Sequence, residues 1–202
     1  MLKLIILNEI EVIKMRDINK SIMFWLDELA NFQLTEYEKL PDIDLYMDQM
    51  ITYLDRHLQT FATSSLDKQI TSSMINNYVK GDCIPSPIAK KYNKEHIALI
   101  LQICLLKKTL NISDIKQIFE TSYNNTDFKE TYNDFANNAT AKLHNLSNEV
   151  AKKLEEIDTN DQNALINLAL DLSITANTNV LIAKRILHYI ELQNSIKNNN
   201  EE

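Results

Sequence analysis

Glycine and proline are nearly missing from this sequence, which has one glycine and three prolines in 202 residues. Average usage is roughly 7% and 5%. Because the tight turns of β-sheets usually need glycine, or an Asn-Gly or Asp-Gly pair, the shortage argues against a sheet protein. We therefore expect an all-α fold whose helices are joined by short polar loops.

Cysteine and histidine are also scarce. The two cysteines, Cys83 and Cys104, are too few for a disulfide framework, and the four histidines lie far apart in the sequence. No nucleophile elbow or phosphate-binding loop is present, and a single glycine disfavours a dinucleotide site. The sequence therefore predicts no enzyme activity, no metal site and no cofactor.

A long uninterrupted apolar run is lacking as well. The longest, Ile97–Leu106, has ten residues and includes Gln102, whereas a bilayer span takes about 20. The first residues mix Lys3 and Glu9 into an apolar stretch, which is unlike a secretory signal. We expect a soluble, cytoplasmic protein.

Charge is unevenly distributed along the chain. The net charge is −7, yet residues 67–108 carry seven lysines against three carboxylates. A compact basic segment between two acidic arms is typical of a nucleic-acid contact, although a chance fluctuation along an ordinary surface gives the same pattern.

Apolar spacing predicts a series of helices. The expected ranges are 18–32, 43–59, a short helix ending at Lys80, 94–108, a short helix starting at Asn111 or Ser113, 126–157, 161–174 and 178–195. Thr71 or Ser72, and later Asn93, are expected N-caps. Gly81 is expected to be a left-handed C-cap, and the prolines that follow it should keep 84–92 extended.

The short helix 71–80 carries the functional prediction. Its sequence, TSSMINNYVK, offers small polar side chains on one side and Met74 and Ile75 on the other. Asparagine pairs well with adenine, so the polar side suits the DNA major groove. The lysine-rich stretch 85–92 would form a wing that contacts phosphates. The predicted DNA-contacting residues are Ser72, Ser73, Asn76, Asn77, Tyr78, Lys80, Lys90, Lys91, Tyr92 and Lys94.

The order of these features resembles the DNA-binding domain of the MerR family of bacterial regulators. The resemblance is carried by Ile75–Tyr78, Ile84-Pro85, Lys90–Asn93 and Ser113–Phe119, which follow one another with similar gaps. It implies a winged helix-turn-helix with a core at 67–119. Two departures are the roughly 60 residues before the motif and a wing that holds lysine but no arginine.

A second resemblance extends over about residues 15–120. Leu40–Tyr46, together with Met74–Tyr78 and Lys91-Tyr92, resembles a bacterial family of regulators known mainly as a domain of unknown function. Residues 1–120 are then expected to form an N-terminal DNA-binding domain. Residues 121–202 would form a helical dimerisation or regulatory domain.

These observations predict a sequence-specific, DNA-binding transcriptional regulator, a repressor, whose effector the sequence does not indicate. The apolar stripe of the helix 126–157 suits either a bundle within one chain or a dimer seam. Because palindromic operators favour dimers, we expect a homodimer through that stripe. The alternative is a helical protein–protein adaptor that does not bind DNA.

Overall fold

The computed structural model describes residues 20–61, 70–124 and 126–199, and most of them are helical. The helices are α1 (residues 20–30), α2 (Met47–His57), α3 (Ser72–Lys80), α4 (Lys94–Leu106), α5 (Ile112–Ser122), α6 (Phe128–Glu156) and α7 (Gln162–Asn199). Short 3₁₀ turns lie at Tyr37–Lys39 and Gln59–Phe61. The expected all-α class is confirmed.

One small sheet joins two distant parts of the chain. Strand β1 (Leu45–Tyr46) pairs antiparallel with β2 (Lys91–Tyr92), with Leu45 opposite Tyr92. The prediction that a helix starts at residue 43 was wrong, because this pairing holds the chain extended up to Tyr46. Helix α2 starts one residue later, where the side chain of Gln49 accepts a hydrogen bond from the Tyr46 N–H at 2.9 Å.

The chain divides into two compact units. One contains residues 20–34 and 137–173, and the other contains residues 35–136 and 174–199. These units do not follow the predicted boundary at residue 120. We call them the flanking unit and the central unit.

Helix α4 is the core of the central unit. Eight consecutive residues, 97–104, are buried, so this helix is covered on every side. Met50 and Leu54 of α2, Ile75 of α3 and Ile115 of α5 are also fully buried. A helix that is apolar all round is stable only inside such packing.

Three polar residues start the helices of the central unit as predicted. Thr71 accepts a hydrogen bond from the Met74 N–H at 3.3 Å, and Asn93 accepts one from the His96 N–H at 3.1 Å. Asn111 accepts one from the Asp114 N–H at 2.8 Å. Each cap supplies an acceptor to a backbone N–H that has no partner inside its helix.

The apolar stripe of α6 is used within the chain. Tyr132 is fully buried and donates its hydroxyl hydrogen to the Thr35 carbonyl at 2.8 Å. Further along the helix, Val150 and Leu154 are buried with Leu26 of α1 in the core of the flanking unit. This packing favours the alternative of a bundle within one chain, although Leu146 in the same stripe is 52% exposed.

Helix α7 is continuous where two helices were expected. The expected ranges, 161–174 and 178–195, left a break between them, but Ser173 and Thr178 donate their hydroxyl hydrogens back to the carbonyls of Ala169 and Ile174, at 2.7 and 2.9 Å. Such back-bonding satisfies these side chains inside a helix. Within Gln162–Ile196, the mean hydropathy of the most apolar 18-residue stretch is 1.3. By length and composition alone, this segment is long and apolar enough to cross a membrane.

Candidate nucleic-acid interface

Helix α3 separates buried from exposed side chains sharply. Ile75 is fully buried and Tyr78 is 5% exposed, while the five predicted polar residues are all exposed. At 100° per residue those five span an arc of about 140° on the helix surface. They are Ser72, Ser73, Asn76, Asn77 and Lys80. The structure therefore brings them together on one polar face.

A Schellman motif ends α3. The Cys83 N–H bonds the Tyr78 carbonyl at 2.9 Å, and the Asp82 N–H bonds the Val79 carbonyl at 3.0 Å. Asp82, with φ of 53°, is the left-handed residue, so the prediction for Gly81 was wrong: Gly81 has φ of −86°. A β-carbon at Gly81 would lie 3.3 Å from the Asn77 carbonyl oxygen, and this close approach favours glycine there.

The predicted wing contains a tight hairpin. Ile88 and Lys91 exchange both backbone hydrogen bonds, at 3.1 and 2.9 Å. The two residues between them, Ala89 and Lys90, have φ of 50° and 64°. A two-residue loop with both central residues left-handed is a type I′ turn. The turn places Lys90 at the tip, where its side chain is exposed.

Lys91 occupies the strand that leaves this turn. Its ammonium lies 5.3 Å from the ring centroid of Tyr46 on the paired strand, and Tyr46 is half-exposed. The aromatic face favours the cation and holds it at the surface. Lys90 and Lys91 are thus adjacent cations on a hairpin that the sheet anchors.

The structure corrects two of the predicted contact residues and gives a third a partner within the fold. Tyr78 and Tyr92 are 5% and 3% exposed, so their rings belong to the core; burial raises the pKa of Tyr78 to about 12 and also raises the pKa of Tyr92. The ammonium of Lys94 lies 3.4 Å from Asp42 and 5.4 Å from the Tyr37 ring centroid. The Lys94 ammonium therefore interacts with other residues of the fold.

Sequence reasoning missed two neighbours of this surface. Ile88 is 75% exposed beside the hairpin tip, although its apolar character suggests burial. The Lys116 ammonium of α5 donates to the Gly81 carbonyl at 3.3 Å, where a cation favours the end of α3. No local pattern connects Lys116 with a residue 35 positions earlier, so only the structure reveals this contact.

The left-handed turn gives a testable stability effect. Because alanine in that region costs about 1–2 kcal/mol, Ala89→Asn, which keeps both lysines, is expected to raise the free energy of unfolding by about 0.5–1 kcal/mol. The free energy of unfolding is measured by urea denaturation. The matched control is Ala141→Asn, at an exposed position of helix α6, which should lower stability by about 0.5 kcal/mol. Equal losses for both variants would contradict the assigned turn.

Within the described ranges, no group of three or more histidine, cysteine or acidic side chains is placed to hold a metal ion. The two thiols are buried, and burial raises the pKa of Cys83 and of Cys104 to about 11 each. A thiol with a raised pKa is a weak nucleophile at neutral pH.

One known family model matches a stretch of sequence that lies within the central unit. The family model described as a domain of unknown function, DUF1836, matches residues 35–135. The chain belongs to the DUF1836 family. No curated protein and no solved structure matches the chain.

The DUF1836 match confirms the predicted resemblance to a family of unknown function. Its range starts and ends later than the expected 15–120 and nearly coincides with the 35–136 part of the central unit. The later end includes Tyr132, which is fully buried in that unit. Every predicted contact residue lies inside the DUF1836 domain.

Proposed function

We propose that this protein is a sequence-specific, DNA-binding transcriptional regulator of the cytoplasm, a repressor that acts by occupying promoter DNA. The observation that carries the proposal is the polar face of α3, with five small polar or basic side chains exposed opposite the buried Ile75. An α-helix fits the major groove, which is about 12 Å wide.

The order of elements supports a MerR-like winged helix-turn-helix. Strand β1, helices α2 and α3, the hairpin and strand β2 follow in sequence, and the two strands pair. In this proposal α2 is the supporting helix and α3 is the recognition helix. The hairpin around Ala89-Lys90 is the wing.

Each exposed side chain has a role in this proposal. Asn76 and Asn77 read base edges, since an asparagine amide can donate to N7 and accept from N6 of adenine. Lys80, at the end of α3, and Lys90 and Lys91 of the wing contact phosphates. The acidic net charge does not oppose this role, because the lysines concentrate in the segment that contains the interface.

Salt dependence tests the proposal. The wild-type protein selects duplexes from a randomised DNA library, and its affinity for them is measured from 50 to 200 mM salt. Each phosphate contact contributes a slope of about −0.9 in log K against log [salt]. Lys90→Ala combined with Lys91→Ala should therefore flatten the slope by about two, without loss of fold by circular dichroism.

The matched control is Lys142→Ala combined with Lys152→Ala, which removes two exposed lysines of α6. This variant should keep the wild-type slope. No DNA binding at 50 mM salt, or the same loss of slope in both double variants, would refute the proposal.

A second candidate function rests on a different observation. A groove of about 470 Å³ runs beside α2, and Ile43 on its rim is 70% exposed. Its lining combines apolar side chains with Asp48, Arg56 and His57, so it suits a peptide that carries both apolar and charged side chains. If DNA binding is absent, the protein is a helical adaptor that uses this groove.

A further inference from the structure

The C-terminal part of α7 is apolar on two opposite sides. Its inner side chains, at 180, 183, 187 and 190, are half-buried on the central unit, and the Leu187 carbonyl accepts a hydrogen bond from Gln117 of α5 at 2.8 Å. A second, outer row remains 49 to 62% exposed. The outer row consists of Leu181, Ile182, Ile186, Tyr189, Leu192 and Ile196.

Spacing makes this outer row a helix-pairing seam. Ile182, Ile186, Tyr189 and Ile196 are separated by four, three and seven positions, which is the repeat that keeps one side of a helix against a second helix. We infer that this row, the α7 outer seam, joins two copies of the chain into a dimer. The inference goes beyond the proposed function and does not depend on DNA binding.

The exposed area fits a second copy. Each of the six side chains presents on the order of 100 Å² of apolar surface, so one copy offers roughly 600 Å². A standard interface takes about 800 Å² from each partner, and about 65% of it is apolar in homodimers. The α7 outer seam therefore supplies the apolar part of one dimer interface. Two identical apolar rows pair with each other without needing a complementary set of charges.

Charges argue against lipid as the occupant. Between Asp171 and Lys184 lie only twelve uncharged residues, fewer than the roughly 20 that cross a bilayer. Lys184 and Arg185 lie between Ile182 and Ile186, in the middle of the apolar row. A membrane would therefore have to accept two adjacent cations, whereas at a protein interface such long side chains extend into water.

The other long helices of the described structure expose fewer apolar side chains than α7 does. Most of the α6 stripe, which has the same apolar spacing, packs within its own chain, and Leu146 is its one member among the exposed large apolar side chains of the described residues. Helix α4 is buried on all sides. Among the described residues, nine of the sixteen exposed large apolar side chains lie on α7.

Sedimentation velocity of the full chain, without DNA, tests the inference. Wild-type protein at micromolar concentration should have twice the chain mass of 23.4 kDa. Ile182→Lys combined with Ile186→Lys should reduce it to a single chain with unchanged circular dichroism. The control, Asn177→Lys with His188→Lys, alters the polar side of the same helix and should remain dimeric.

Several results would overturn the inference. One is a wild-type protein that is monomeric at 100 μM, and another is a lysine variant that stays dimeric. The third is a wild-type protein that floats with phosphatidylcholine vesicles while the variant with Ile182→Lys and Ile186→Lys does not. If the lysine variant unfolds, Ile182→Ala with Ile186→Ala replaces it and should weaken the dimer at least tenfold. Because this experiment contains no DNA, a monomeric result does not affect the proposal of DNA binding. A failure to bind DNA likewise does not affect the proposal of a dimer.

Discussion

Replacing Asn76 and Asn77 together by alanine is expected to lower affinity for a selected DNA site about a hundredfold. A well-placed contact to a base edge discriminates by about 1–3 kcal/mol, and two such contacts account for that loss. Affinity for unrelated duplex DNA should hardly change, because the phosphate-contacting lysines remain. The measurement is fluorescence anisotropy with the selected duplex and with a scrambled duplex at one salt concentration.

Stability separates this effect from unfolding. Both asparagines are exposed, and alanine is the better helix former, so the variant should be at least as stable as the wild type. The chain also offers a matched control, because Asn137 and Asn138 form a second exposed pair within a helix. Their replacement by alanine should leave DNA affinity unchanged. Equal affinity losses on the selected and the scrambled duplex would contradict base reading by α3.

Tyr132→Ala is expected to destabilise the protein by about 3–5 kcal/mol, the range for removing a large aromatic side chain from a core. The ring is fully buried, and it lies edge-on to Tyr37 with centroids 6.1 Å apart. The free energy of unfolding, measured in urea, should show the loss. Since small domains are stable by only about 5–15 kcal/mol, the variant should also melt far below the wild type.

Tyr132→Phe separates packing from hydrogen bonding. It keeps the ring but leaves the Thr35 carbonyl without its hydroxyl donor, and should cost about 1–2 kcal/mol. Phe24→Ala removes a ring that is 65% exposed and should change stability by less than about 0.5 kcal/mol. A small loss for Tyr132→Ala, similar to that for Phe24→Ala, would contradict the burial of Tyr132.

Local chemistry explains what the sequence could predict. The α3 face follows from alternation of apolar and polar residues at helical spacing, and the Thr71, Asn93 and Asn111 caps follow from side chains that bond to nearby N–H groups. These features depend on residues at most four apart. The exposure of Asn76 and Asn77 could therefore be predicted before any tertiary contact was known.

The errors arose where distant residues decide the structure. Leu45 is extended because it pairs with Tyr92, 47 positions later, and no local pattern encodes that partner. Tyr92 and Tyr78 have polar hydroxyls that suit a phosphate contact, yet both rings fill the core around α4. In α7, the expected break between residues 174 and 178 does not occur, because the segment has no glycine or proline and its Ser173 and Thr178 hydroxyls bond within the helix.

The two ends of the DUF1836 domain lie beside each other. The Tyr37 N–H near its start donates to the Asn133 side chain near its end at 2.8 Å, and just outside it the Leu34 N–H donates to the Thr140 hydroxyl at 3.1 Å. Chain ends that lie close together in a domain are what make circular permutation and domain insertion tolerable. We therefore expect that new chain ends placed in an exposed loop of this domain, with the present ends joined by a short linker, would preserve its fold.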